Sequence, residues 1–294
     1  MRERERKLNK RRDRLKSLCF LFPSLLGVGV FFVLPFGVVI YYALIDNPIS
    51  ARFVFADNFT RLLQNAAFRL AARNTLSFSL LAVPLAVTLS LLLALLLESR
   101  IPMKSQFRTF FLSPMMVPVA SVVLIWQVLF SYNGSVNELT LALFGERIDW
   151  LQSNYAQIVV ALLFLWKNLG YFMILFMAGL ANIPRELIEA ASVEGASDRY
   201  IFFAIKLRYL SPTLLFVTIL SLINSFKIFR EVFLLAGAYP HDTLYTLQHF
   251  MNNCFNALDF QKLSAAAVMM GAVMAVIIAL LFWAEDRFGK DVEG

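Results

Sequence analysis

Six apolar stretches, near residues 18–42, 76–97, 110–132, 158–180, 214–235 and 264–283, decide what this chain can fold into. Each reaches the roughly 20 helical residues that cross a hydrocarbon layer of about 30 Å. They are rich in Leu, Val, Phe and Ala without strict alternation. Helices are then the solution that pairs every backbone amide within its own segment. Composition agrees: 59% of the 294 residues are hydrophobic, 16% are charged and the mean hydropathy is +0.68. A soluble core of this size does not hide that much apolar surface. The expected fold is therefore an all-α integral membrane protein with six transmembrane helices. It divides into a basic tail over 1–17, a membrane domain over 18–284 and a C-terminal tail over 285–294.

The first run, "LCFLFPSLLGVGVFFVLPFGVVIYYAL", is far longer than the roughly 7–15 residues of a signal peptide's apolar region, so an uncleaved anchor is expected. Lys and Arg placement gives the orientation. The leading tail holds nine, the 98–109 loop three, the 182–211 loop four and the C-terminal tail two; the alternate loops hold four, one and one. Basic residues accumulate on the cytoplasmic face, which puts both termini and the 182–211 segment there. The formal net charge of +7 gathers beside membrane ends and points to anionic lipid heads rather than nucleic acid. His241, His249 and Cys254 have no metal-binding spacing, and Cys19 and Cys254 make no disulfide framework.

Two local patterns carry structural expectations. "NFTRLLQNAAFRLAARNTL" (58–76) predicts one amphipathic surface helix with Phe59, Leu62, Leu63, Ala66 and Leu70 on its apolar side. Pro114 and Pro118 predict a kink or irregular first turns near the start of the third span, serving either helix packing or gating.

The 186–212 segment, "ELIEAASVEGASDRYIFFAIKLRYLSP", is charged in a chain that is mostly apolar. Pro184 suits a first helical turn, and Glu186 and Glu189 complement the positive end of the helix dipole. Ala190 and Ala191 favour helix and leave room for a close neighbour. Gly195 supplies a left-handed stop. Ser197 or Asp198 caps a second helix that runs through Phe202 and Ile205 toward Leu210 and ends at Pro212. Helix, glycine turn, helix: on physical grounds alone this is either a docking element or a packed loop.

Glu189-Ala190-Ala191, with Gly195 six residues after the Glu and then Ile205 and Leu207, resembles the signature loop of membrane subunits in ATP-binding cassette importers. "AGLANIPRELIEAASVEGA" (178–196) and "AGAYPHDTLYTLQHFMNNCFNALDFQKLSAAAV" (236–268) are similar to the versions in carbohydrate-importer permeases, as are 20–44 and 74–118. The resemblance implies the type I ABC importer permease fold, with a coupling-helix loop over 182–211 between the fourth and fifth spans. It implies that Glu189, Ala190, Ala191, Glu194, Gly195, Ala196, Phe202, Ile205 and Leu207 meet a separate ATPase. The implied partners are a second permease subunit, an ABC ATPase dimer, an extracellular or periplasmic solute-binding protein and the bilayer of a bacterial cell membrane. ATP and magnesium belong to the ATPase, and this chain binds no cofactor. The family usually has Asp at Glu194 and Pro at Arg208. Without that proline the second helix is expected to run on more continuously, with a lipid phosphate or an ATPase acid as a candidate contact of Arg208.

Polar groups inside spans are expensive and so are candidates for the solute's path. The fifth span offers Ser221, Asn224, Lys227 and Glu231 as one stripe, with Lys227 and Glu231 spaced to pair. The alternative is that these charges reach for the interface or brace a partner helix. In the fourth span Lys167, Asn168 and Tyr171 lie near mid-membrane beside Gly170, which permits close packing. Path lining and a structural ion pair of Lys167 with Glu231 are both open. The function classes divide as follows. The chain has no glycine-rich phosphate loop, so it does not hydrolyse ATP. It lacks the clustered histidines or paired acids of a membrane enzyme. An independent carrier needs no Glu-Ala-Ala loop and often shows inverted repeats. The expected function is the permease subunit of an importer for a sugar or a related solute such as a glycerol phosphate or a polyol.

Overall fold

The computed structural model describes residues 20–98 and 103–289. The basic tail expected over 1–17 lies outside the described residues, as do Arg100 and residues 290–294 of the expected C-terminal tail. Among the described residues, five helices are long and apolar enough to cross a bilayer, or six if one sharply bent pair counts as a span. The chain forms two compact units, described separately.

The first unit comprises residues up to Gln64 together with Cys254–Gly271. Helix α1 (Phe20–Leu44) carries a π-turn over Gly29–Val33. After it the chain reverses through a short antiparallel bridge between Ile45 and Phe53. Asp46 organises the reversal, accepting from Ser50 Oγ and from the amides of Asn47 and Arg52. The Ser50 hydroxyl, with the two amides, holds the Asp46 carboxyl below its usual range. Helix α2 (Asp57–Gln64) is pinned by Asn58, whose buried amide donates to Ala43 O and Ile45 O at 2.9 and 2.8 Å.

The expected helix over 58–76 is two helices. Asn65 ends the first and caps the second, its Oδ1 accepting from Phe68 N at 3.0 Å. A side-chain oxygen three residues ahead satisfies an orphan amide and so starts a helix where periodicity alone reads through. Residues 66–76 therefore open α3 (Ala66–Glu98). Of the expected apolar face, Leu62 is buried while Leu63 is exposed.

In the second unit, α3, α7 (Ala156–Ala181) and α10 (Ser211–Lys227) form the core. Ala82, Ala86 and Ala94 are fully buried and admit close approach, and the rings of Phe78 and Phe164 meet edge-on at 5.7 Å. The hydroxyls of Ser79 and Ser225 join α3 to α10 at 2.9 Å.

The third stretch departs from a simple kinked span. Helix α4 (Lys104–Met116) and helix α5 (Val119–Leu129) meet at 98°. Val117, forced extended by the following Pro118, makes the break (φ −78, ψ 131). Neither helix alone spans about 30 Å at a rise of about 1.5 Å per residue. Gly170 of α7 lies directly under the backbone of α4 at Phe111.

Beyond α5, helix α6 (Ser135–Phe144) and the turn after it are held by the fully buried Asn137. Its amide donates to Ile148 O at 2.7 Å, and its Oδ1 accepts from Ile148 N and Trp150 Nε1. The fifth stretch is one helical span over Ser211–Ala236 with a single irregular residue, Ile228 (φ −61, ψ −16), which divides it into α10 and α11 (Phe229–Ala236) without a sharp bend. Helix α12 (Leu247–Asn256) leads to α13 (Phe260–Gly289), which continues past the expected span end at 283.

Candidate functional site

A cavity of about 530 Å³ opens between α4, α7, α10, α11 and the start of α12. Lys167, Asn168 and Tyr171 reach it from α7, one helical turn apart on the same face. Asn224 and Lys227 enter from the last turn of α10, and Arg230 and Glu231 from the first turn of α11. Met115, Phe164, Leu220, Ile228, Phe229 and Gln248 complete the wall. Six of the seven residues expected to line a path thus converge. The seventh, Ser221, is fully buried in the helix packing, and its hydroxyl has no partner among the described residues.

The cavity's charges pair differently from the fifth-span stripe. Glu231, 6% exposed at its side chain, accepts from Lys167 Nζ across the helices, and not from Lys227. Lys227 lies four residues before Glu231, yet the carboxylate is taken by Lys167 from the facing helix. Lys227 and Arg230 have no ion-pair partner among the described residues. Asn224 Nδ2 donates to Asn168 Oδ1 at 2.9 Å, and Asn168 Nδ2 to Phe164 O at 2.8 Å. The two amides are thereby oriented as a unit on the cavity floor. The wall combines hydrogen-bonding groups, an aromatic ring and charge, which suits a polar solute.

The second feature is the segment between α7 and α10. Helix α8 (Arg185–Val193) starts after Pro184 and buries none of its residues. It ends in a two-bond glycine cap: Gly195, at φ +83°, donates to Ser192 O at 3.1 Å and Ala196 N to Ala191 O at 2.9 Å. Ser197 then caps the next helix, accepting from Tyr200 N at 3.3 Å. This helix, α9, covers 198–209 and takes the wider π form over Ile201–Lys206. With Arg208 in place of a proline it stays helical to Tyr209. Pro212 does not end it but sits in the first turn of α10, where a missing N–H costs nothing.

Glu189, Ala190, Glu194 and Gly195 are exposed, while Ala191, Ala196, Phe202, Ile205 and Leu207 are half-buried. Phe202 and Leu207 pack on the helix core. Lys206 Nζ reaches Glu98 Oε2 at 2.7 Å, tying α9 to the end of α3. Gly179 lets the end of α7 touch Leu210 and Thr213; a Cβ there would meet Thr213 Oγ1 at 2.6 Å. Both ends of the segment are thus fastened to core helices, and its middle is presented outward.

Residues 86–294, more than two thirds of the chain, match the family described as binding-protein-dependent transport system inner membrane component. The chain belongs to this family. It is therefore a multi-pass permease subunit of an ABC importer, and not an enzyme. The permease is 30% identical over 275 residues to the sulfoquinovosyl glycerol transport system permease protein of Agrobacterium fabrum, covering 91% of this chain and 89% of that one. It is 28% identical over 293 residues to the trehalose/maltose transport system permease protein of Thermococcus litoralis, covering 97% and 98%. In fold it matches a chain from a bacterial ABC transporter involved in the import of the acidic polysaccharide alginate. That match has a TM-score of 0.80 at 20% identity and covers 96% of the permease and 99% of that chain.

Sequence reasoning missed Met115 and Gln248 as part of the permease's cavity wall. Neither is unusual for its own element, and only the bend between α4 and α5 and the return of the chain at α12 bring them in. Arg230 was visible as a charge in the fifth stretch, but its place in the cavity is seen only in the structure.

Proposed function

We propose that this permease, paired with a second permease subunit, forms the translocation path for a sugar or related polar solute delivered by an extracellular or periplasmic binding protein. Helices α8 and α9 are its coupling helices, seated on an ABC ATPase dimer that holds the ATP and magnesium. Both termini and the coupling segment face the cytoplasm, as the excess of Lys and Arg in the loops on that side favours.

The observation that carries this reading is the surface of α8. A helix of nine residues is unstable in water on its own. Yet this one touches the core with Ile188, has only Ile188 and Ala191 half-buried, and shows Leu187 and Val193 to solvent, at 40% and 88% exposure. Exposed apolar side chains on a short helix fixed at both ends suit a protein partner. Closure of the ATPases then moves α8 and α9 as a rigid body. The Lys206–Glu98 pair and the Gly179 contact pass the movement to α3, α7 and α10, whose rearrangement opens the cavity to one side or the other.

Co-purification tests the docking. Glu189→Lys is expected to reduce recovery of the ATPase with the permease, and Gly195→Val to stop uptake with the permease still in the membrane. Full ATPase recovery and normal uptake in both variants would refute the coupling assignment.

A further inference from the structure

Within the six apolar stretches the chain carries three basic residues, Lys167, Lys227 and Arg230, and one acid, Glu231. All four line the same cavity. A lone cation in bilayer hydrocarbon is so costly that it stays only where protein, water or a counter-ion compensates it. Lys167 is compensated by Glu231. Lys227 and Arg230 are three residues apart on the fifth span, and both are exposed and line the cavity, with no ion-pair acid among the described residues. Three cations against one carboxylate leave the cavity a surplus of two positive charges.

The same wall carries the Asn168–Asn224 amide pair, Tyr171 and Gln248, which suit hydroxyl groups. We propose that the solute carried is an anionic polyhydroxylated one. Its carboxylate, phosphate or sulfonate is neutralised by Lys227 and Arg230, and its hydroxyls are met by the paired amides. The inference rests on the cavity being part of the translocation path. The surplus also concentrates such a solute in the cavity, because low-dielectric walls focus the field of uncompensated charges. Lys167, held by Glu231, instead fixes α7 to α11 at the edge of the site.

The test reads the charge of the cavity without needing the solute. Cys19 and Cys254 are replaced by serine, and a single reporter is introduced at the wall, Asn224→Cys or, as a second position, Met115→Cys. The full transporter, with its sister permease and ATPase in vesicles, is labelled with a negatively charged sulfonatoethyl and a positively charged trimethylammonium-ethyl methanethiosulfonate. Rates are normalised to those of the two reagents with a free small thiol.

The expected result is a preference of about tenfold or more for the anionic reagent, from two uncompensated charges at close range. Replacing Lys227 and Arg230 together by methionine should abolish it. Equal rates for the two reagents at a labelled position, as when acids of the sister permease neutralise the pair, overturn the charge proposal and leave the path intact. Failure of both reagents to label either position from either side of the membrane overturns the path reading, and this inference with it.

Discussion

Gly170→Ala tests whether the α4–α7 contact sets the shape of the cavity. A Cβ at position 170 would lie 1.8 Å from the carbonyl oxygen of Phe111, 2.3 Å from its carbon and 3.0 Å from Leu112 N. A carbon and a carbonyl oxygen in contact sit about 3.3 Å apart, so the two backbones must separate by roughly 1.5 Å. Both obstructing groups are main chain within helices, so no side-chain rotation relieves them. Overpacking of this kind costs about 3 kcal/mol, the upper part of the usual range. For a chain of this size that corresponds to a fall in Tm of roughly 5 °C. Gly27→Ala on α1 is the control, since a Cβ there meets nothing within 4 Å. The assay is the fraction of detergent-solubilised permease that remains monodisperse after heating. Because Lys167 and Tyr171 ride on the same turn of α7, labelling of a cysteine at Met115 should change as well. A Gly170→Ala protein as stable as the Gly27→Ala control would show that the helices do not pack as described.

Two further outcomes follow from the structure. Glu231→Gln should destabilise the permease by about 2 kcal/mol, reduced from the fully buried case because Lys167 is 26% exposed at its side chain. Adding Lys167→Met should recover at least about 1 kcal/mol of that in a double-mutant cycle, and strictly additive effects would deny the pair. His249, fully buried beside Phe229 and Tyr245, accepts from Thr246 N and Thr246 Oγ1 at Nδ1. Burial pushes its pKa down from 6.5 to about 4. The unfolded chain therefore binds a proton between those values that the folded one does not, so stability is complete above pH 6.5 and falls as the pH drops toward 4. The loss is about 3 kcal/mol at the acid end. His249→Gln should flatten this part of the pH profile of thermal unfolding, and an unchanged slope would assign the acid loss to other groups.

The apolar stretches were legible because lipid leaves the backbone few options: a long apolar run without charges becomes a helix whatever its neighbours do. The glycine turn was legible for a similar reason, since Gly195 sits at a positive φ that other residues resist and Ser197 follows at capping distance. Both are local requirements, written in a few adjacent residues. The Lys167–Glu231 pair was open to view as one of two readings, because a buried cation demands an anion and the spans offer a single acid.

What local reading misjudged was continuity. Periodicity ran a helix through Asn65 and paired Lys227 with Glu231, whereas the irregularity expected from Pro114 and Pro118 is present as the sharp bend at Val117. A helix broken at one residue, as at Asn65, keeps its composition while the chain restarts in a new direction, and composition is what periodicity measures. Residue chemistry alone thus determined the lipid solvent, the helical class, the outward turn at Gly195 and the presence of three cations in apolar stretches. Tertiary structure alone decided that those cations share one cavity, that Ser221 leaves it and that Met115 and Gln248 enter it. The reason is that a cavity is bounded by side chains from helices distant in sequence, and their meeting depends on bends and close backbone contacts such as that of Gly170 with Phe111.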